Sequence, residues 1–283
     1  MRSKDKLIRK LIRLRLIHIF SMDRAGFDSG VKLFQINEKQ MRVNGITLPM
    51  PENDIEVRTF RWEFYDILFP YMVCDKSRFD KYITCGEGPY ELGEVKLEEG
   101  DIVFDCGANI GAFSALASTR IGESGKVYAF EPVTILREKF TCNTASWNGN
   151  NGNIIVKPYA LYDKNQKLHF DISGINIGSG SITHNKNDAE DQPHIIEVEA
   201  VTIDDFAERN MLRVDFIKAD IEGAERDMLR GAKNVLKKYA PKISVCKYHL
   251  PDDPEVLRDI ILDANPDYII QEKWGKIFAY VPK

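Results

Sequence analysis

The chain has 283 residues, 43% hydrophobic and 29% charged, with a net charge of −4 and five cysteines. That length holds one large α/β domain with an extension, or two modest domains, at the composition of an ordinary soluble globular protein. No run reaches the roughly 18–20 apolar residues that span a bilayer; Cys74, Cys85, Cys106, Cys142 and Cys246 lack metal-ligand spacing and no secretory signal is evident, so a reducing cytoplasm is the simplest compartment.

Residues 1–24 carry eight Lys/Arg against Asp5 and Asp23, a charge of +6 that leaves −10 on the remainder. Within them, 6–20 has Leu7, Leu11 and Leu14 at helical spacing with Ile8 and Ile12 alongside, which predicts a basic amphipathic helix. Such a face more often packs on its own domain or on another subunit than on an anionic membrane surface, and both uses stay open. Nucleic acid is a disfavoured partner, because the basic residues concentrate here and the rest is acidic. Residues 25–100 read as a cap region, with turn signals at Asn44-Gly45 and 49–53, an aromatic-rich stretch at 61–71, and Gly-Glu-Gly-Pro-Tyr-Glu at 86–91. They are expected to cover one end of a main sheet.

At 101–111 an apolar strand runs into a glycine-spaced turn and places Asp105 at the junction. Glycines after a strand let backbone N–H groups approach a ligand, and a pyrophosphate there would be drawn to the next helix N-terminus. Asp105 would repel a pyrophosphate, whereas S-adenosylmethionine brings an ammonium and a sulfonium, so D-x-G-x-x-x-G favours a methyl donor. A helix over 112–121 and a strand over 125–132 follow. Glu131 lies twenty residues after Gly111, where nucleotide-binding βαβ units place a carboxylate for ribose hydroxyls.

Further on, 134–147 reads as a helix and 154–156 as a third strand. Segments 167–172 and 195–201 alternate in strand fashion around a polar loop, 173–193, which predicts a hairpin inserted into the sheet; the loop is either a functional lid or acceptor-binding element, or disordered. Thr202 is a plausible N-cap for a short helix. A buried-type strand over 214–219 ends in Asp220-Ile221-Glu222-Gly223 and precedes a helix over 224–236. A strand over 243–246, a helix over 254–264, and a terminal hairpin of 268–271 with 276–281 across Trp274-Gly275 complete the chain.

In a doubly wound sheet, ligands bind outside the carboxyl ends of the strands, so Asp105, Glu131, Asp220 and His249 converge on one cleft. Asp220 and Glu222 suit a general base, a partner for the sulfonium, or ligands for a divalent cation, though an oxygen-ligand site needs more partners than this motif offers. Glu222 and Glu225 read equally as acids favoured at a helix N-terminus. His249, with an ordinary pKa near 6.5, suits proton removal from an alcohol, or is structural. Of the other histidines, only His184, in the polar loop, attracts attention. No Ser/His/Asp nucleophile pattern and no C-x-x-C are present.

Five segments together resemble the FkbM family of S-adenosylmethionine-dependent methyltransferases. They are Gly-Glu-Gly-Pro-Tyr-Glu (86–91), Asp-Cys-Gly-Ala-Asn-Ile-Gly-Ala-Phe-Ser (105–114), Ala-Phe-Glu-Pro (129–132), Thr-Ile-Asp-Asp-Phe (202–206) and Phe-Ile-Lys-Ala-Asp-Ile-Glu-Gly-Ala-Glu (216–225). The resemblance covers about residues 86–250 and implies a Rossmann-like class I methyltransferase: a doubly wound, mostly parallel sheet with a C-terminal antiparallel hairpin and an N-terminal helical extension. The expected divisions are 1–24, 25–100 and 101–283, the last binding the donor. Within these segments Asp105, Gly107, Asn109, Gly111, Glu131, Pro132 and Tyr90 would hold S-adenosylmethionine, and Asp220, His249 and Glu222 would carry the chemistry without a metal. The implied acceptor is a hydroxyl of a sugar, glycan or secondary metabolite. A dinucleotide-binding oxidoreductase and a non-catalytic binding module are the alternatives.

Overall fold

The structure, a computed structural model, describes residues 35–43, 46–50, 89–146, 152–173, 180–183 and 194–282. The expected basic helix at 6–20, the aromatic stretch at 61–71 and His184 lie outside them. In the cap region, β1 (Gln35–Asn37), β2 (Gln40–Val43) and β3 (Ile46–Pro49) form a small antiparallel sheet, with Val43 opposite Ile46 across the Asn44-Gly45 signal. Strands this short display too few alternations to be read from sequence.

The remaining elements are β4 (Ile102–Cys106), α1 (Ala112–Ile121), β5 (Lys126–Phe130), α2 (Thr134–Ser146), β6 (Ile154–Lys157), β7 (Tyr159–Leu161), β8 (Gln166–Asp171), β9 (Ser181–Thr183) and β10 (Ile195–Val201). They continue with α3 (Ile203–Arg209), β11 (Phe216–Ala219), α4 (Glu225–Arg230), α5 (Lys233–Tyr239), β12 (Lys242–Cys246), α6 (Asp253–Ala264), β13 (Ile269–Lys273) and β14 (Lys276–Tyr280).

The main sheet runs β13-β14-β12-β11-β4-β5-β6, parallel from β12 to β6 and antiparallel at β14 and β13. Strand order reverses between β4 and β11, which puts a crevice beyond their carboxyl ends. These strands read as apolar runs because both sheet faces are covered; all of β11 is buried, Lys218 included. Phe206 of α3 meets Phe104, Tyr128 and Phe130 edge-on, with ring centroids 4.9–5.7 Å apart. Truncating such a buried ring costs about 3–5 kcal/mol. Among the described residues, no helix is long and apolar enough to cross a membrane.

Two expectations need correction. The hairpin forms, with Leu168 opposite Val198 and Phe170 opposite Ile196, but it belongs to a second sheet, β7-β10-β8-β9, and not to the main one. Its strands alternate, so they have one apolar face, which Leu168, Phe170, Val198 and Ala200, with Ala160 of the neighbouring β7, press against Val133 and Leu136. A strand inside the main sheet needs apolar residues on both faces. Part of the polar loop is ordered as β9, paired with β8.

The single helix expected over 224–236 is two, α4 and α5. A Cβ on Gly231 would lie 2.1 Å from the Tyr162 carbonyl oxygen, so the chain there is pressed against another segment. The Asp204 carboxylate accepts from Asn234 N and Val235 N at 2.9 and 2.8 Å, capping α5 from α3. Helix periodicity carries no sign of a cap supplied by a distant residue. The Thr202 cap is present, its hydroxyl accepting from Asp205 N at 3.0 Å.

Candidate active site

A cavity opens at the switch point. Gly107, Asn109, Glu131 and Pro132 line one side, Tyr90, Asp220 and Glu222 the other, and Phe170, Gly180 and Ile182 of the second sheet close it. The second sheet thus serves as a wall of the site.

On the first side the glycine turn is fixed by close packing. Gly107 has φ 79°, and a Cβ there would stand 2.0 Å from the Asp220 carbonyl oxygen, so the loops after β4 and β11 touch backbone to backbone. Asn109, itself at φ 48°, donates its N–H to Glu131 Oε2 at 2.9 Å, and Val133 N donates to Oε1 at 3.0 Å. Burial pushes the Glu131 carboxyl up to about 7, against the pull of those two N–H groups and of Lys218 and Arg137. Each carboxylate oxygen retains a lone pair for a ligand hydroxyl. Asn109 Oδ1 is buried with no hydrogen-bond partner among the described residues, and the residue faces the cavity. An orphaned acceptor beside a ribose-type carboxylate fits a ligand carrying ammonium and hydroxyl donors, as S-adenosylmethionine does.

Two donor-side expectations change. Asp105 is fully buried and does not line the cavity. Its Oδ1 lies 3.0 Å from Lys218 Nζ, and its Oδ2 accepts from Ser114 Oγ at 2.6 Å. Its charge is therefore met by Lys218, which stands directly opposite in the β4–β11 register and also donates to the Gly107 carbonyl at 2.7 Å. Asp105 acts on the turn through Lys218 and not by direct contact with a ligand. Gly111 is also absent from the lining. At φ 92°, a Cβ there would meet the Phe140 ring at 2.7 Å, so its place is where the turn packs on α2.

On the second side, Asp220 Oδ2 accepts from the Tyr90 hydroxyl at 2.7 Å and Oδ1 from the Tyr248 hydroxyl at 3.3 Å. Burial alone would raise its carboxyl, but Lys218, Lys276, the Tyr90 hydroxyl and His249 outweigh that and hold it below the usual range. His249 Nε2 lies 3.7 Å from Asp220 Oδ1 and 3.5 Å from Glu222 Oε2, while Nδ1 lies 3.0 Å from Glu225 Oε1. Burial favours the neutral ring, yet Glu225, Asp220 and Glu222 together raise the imidazole to about 9. This corrects the sequence expectation of a pKa near 6.5: His249 is a cation at neutral pH and has no lone pair with which to take a proton.

Asp220, Glu222 and His249 are thus brought together, with Tyr90, expected on the donor side, bonded to Asp220; His249 itself is absent from the cavity lining and stands behind Asp220 and Glu222. From the sequence Lys218 had no role and Glu225 only that of an acid at a helix N-terminus, although the spacing Lys-x-Asp sets Lys218 and Asp220 two residues apart in extended chain. Asp220, Glu225 and His249 each offer a ligand atom within 4.8 Å of the others, a spacing a divalent cation can bridge. Opposite charges also lie near each member within the chain, His249 beside Glu225 and Lys218 and Lys276 beside Asp220.

The family model described as the methyltransferase FkbM domain matches residues 105–272, more than half of the chain. Hexuronic acid methyltransferase AglP of Haloferax volcanii is 26% identical over 171 residues, 60% of this chain and 65% of that protein. The crystal structure of a methyltransferase FkbM from Methylobacillus flagellatus superposes with a TM-score of 0.50 at 19% identity, covering 81% of this chain and 55% of that one. The chain therefore spans just under two thirds of the curated relative it matches and about half of that solved one. Aeropyrum pernix fibrillarin, solved with natively bound S-adenosyl-L-methionine, is a weaker likeness, with a TM-score of 0.40 at 13% identity over 67% of this chain and 69% of that one.

A Rossmann-like sheet with its cavity at the switch point defines the class, that of the class I methyltransferases. Within it the chain belongs to the FkbM family.

Proposed function

We propose that the chain is an O-methyltransferase that acts on a hydroxyl of a sugar or glycan, with Asp220 as proton acceptor. The observation that carries this is the ionised Asp220 carboxylate at the cavity wall, across from Glu131 and held by the hydroxyls of Tyr90 and Tyr248. Sulfonium-borne methyl is the chemistry that the donor supplies. Glu131 holds its ribose hydroxyls, the Gly107–Asn109 turn and Asn109 Oδ1 hold the methionine end, and Phe170 and Ile182 offer an apolar wall for the base.

A hydroxyl becomes strongly acidic as its oxygen takes an alkyl group, so a carboxylate of low basicity suffices to accept its proton. Asp220 is that carboxylate. His249, already protonated, helps keep Asp220 ionised. Holding acceptor and methyl together supplies much of the remaining acceleration. The sugar acceptor is supported by AglP, whose name states that it methylates a hexuronic acid. Family membership sets aside the dinucleotide-binding alternative.

The test combines calorimetry of S-adenosylhomocysteine binding with labelled-methyl transfer to a panel of neutral sugars, uronic acids and glycolipids. Binding with transfer to a hydroxyl is expected. Binding without transfer to any acceptor would favour a non-catalytic module, and transfer to a carboxylate or nitrogen would displace the O-hydroxyl reading.

A further inference from the structure

Glu225 is fully buried, and each of its contacts reaches out of its own helix. Its Oε1 accepts from Ile221 N at 2.8 Å and its Oε2 from Gly223 N at 3.0 Å. Between those two donors Glu222 has φ 55° and Gly223 φ 99°, so the carboxylate holds a left-handed turn that follows directly on Asp220. The same Oε1 lies 3.0 Å from His249 Nδ1. One side chain therefore fastens the turn after β11 to the segment after β12.

We propose that Glu225 is a positioning residue of the methyl-transfer site: by binding the 221–223 turn and His249 Nδ1 together, it aims His249 Nε2 at Asp220 and Glu222. The proposal rests on the reading of Asp220 as proton acceptor. Only one imidazole nitrogen can face Asp220, and the Glu225 carboxylate 3.0 Å behind Nδ1 decides which by its charge. The ring is bounded by Glu225 of α4, by Asp220 and Glu222 of the turn, and by its neighbour Tyr248, whose ring centroid is 4.4 Å away.

The backbone around His249 is anchored independently. Asp253 Oδ2 accepts from Leu250 N at 2.8 Å, and its Oδ1 from Arg226 Nε at 2.6 Å. Loss of the Glu225 charge thus releases the ring while the loop stays in place.

The near-isosteric Glu225→Gln in the full chain removes the charge beside His249 and, because an amide nitrogen cannot accept, one of the two backbone bonds to the turn. His249 is titrated by NMR, and transfer kinetics are split into kcat and KM. In the wild type the imidazole should titrate near 9. In the variant it should titrate at least about one unit lower, with kcat down about 10- to 100-fold and S-adenosylhomocysteine affinity within about two-fold. Glu225→Gln added to His249→Gln should cause little further loss of kcat, because one residue acts through the other.

An unchanged His249 titration in Glu225→Gln, or fully additive losses in the double variant, would overturn the proposal. Should the glutamine variant fail to fold, the wild-type titration decides, since a midpoint near the ordinary value of about 6.5 overturns the pairing by itself. A wild type that transfers no methyl overturns the proton-acceptor reading instead, and the titration, which needs no turnover, still judges the Glu225–His249 pairing.

Discussion

Asp105 and Asp220 come from neighbouring parallel strands, and both lie within the field of Lys218. Asp105 is the residue opposite Lys218 in the ladder, has no exposed side-chain surface, is ion-paired with that lysine and accepts from Ser114. Asp220 stands just past the last residue of β11, with 23% of its side chain exposed and tyrosine hydroxyls on both oxygens. The same residue type is ion-paired inside the ladder and faces the cavity one step outside it, because only beyond the ladder does the backbone leave room for a ligand. Glu131 repeats the pattern on β5: it follows the last strand residue, faces the cavity, and is held by backbone N–H groups and not by an ion pair.

Asp220→Asn sharpens that contrast most. Turnover should fall about 10²- to 10⁴-fold, while S-adenosylhomocysteine affinity stays within about two-fold; full activity would remove Asp220 as proton acceptor. Asp105→Asn should instead act on the fold, because a buried lysine loses its partner. Urea denaturation should show a loss of about 3–5 kcal/mol, and unchanged stability with weakened donor binding would return Asp105 to a direct role.

Glu131→Gln should leave stability nearly intact and weaken S-adenosylhomocysteine binding by about 1.5–3 kcal/mol, read by calorimetry. Equal affinity for the glutamine variant would show that its carboxylate does not meet the ligand.

The two sides also differ in their pH responses. A folded pKa of about 9 for His249 means that the native state binds this proton more tightly than the unfolded chain does. Its stabilisation is complete below about 6.5 and is lost as the pH rises to about 9. A thermal midpoint with the same pH dependence over that range in wild type and His249→Gln would contradict the cation. Glu131, raised from 4.5 to about 7, favours the folded state below 4.5 and loses that contribution as the pH rises through 7. Donor binding should run the other way and weaken below about 7, because the ionised carboxylate accepts hydroxyls best. The smallest effect is expected of a chelator, which should leave turnover unchanged; loss with EDTA and recovery with a divalent cation would assign the Asp220–Glu225–His249 cluster to a metal.

Much of this was legible in the sequence because it is local. The glycine turn at 107–111 reflects backbone angles that only certain residues adopt, the Thr202 cap reflects a bond three residues long, and Glu131 reflects the length of a βαβ unit. The order of strands and helices in the main sheet followed from apolar periodicity. The second sheet did not, since alternation tells that a strand has one apolar face but not which surface receives it. The break between α4 and α5 was equally hidden, because Asp204 caps α5 from another helix.

The sequence by itself determined the βα order, the donor turn and the acids that end the strands, all of which depend on neighbours in the chain. Tertiary structure decided what each charged group does. Inter-strand register set Lys218 against Asp105 and took that carboxylate out of the ligand's reach, and packing placed Glu225, Asp220 and Glu222 around His249 and made it a cation. A side chain's charge state depends on which groups it faces once water is removed, and that is a property of the folded arrangement.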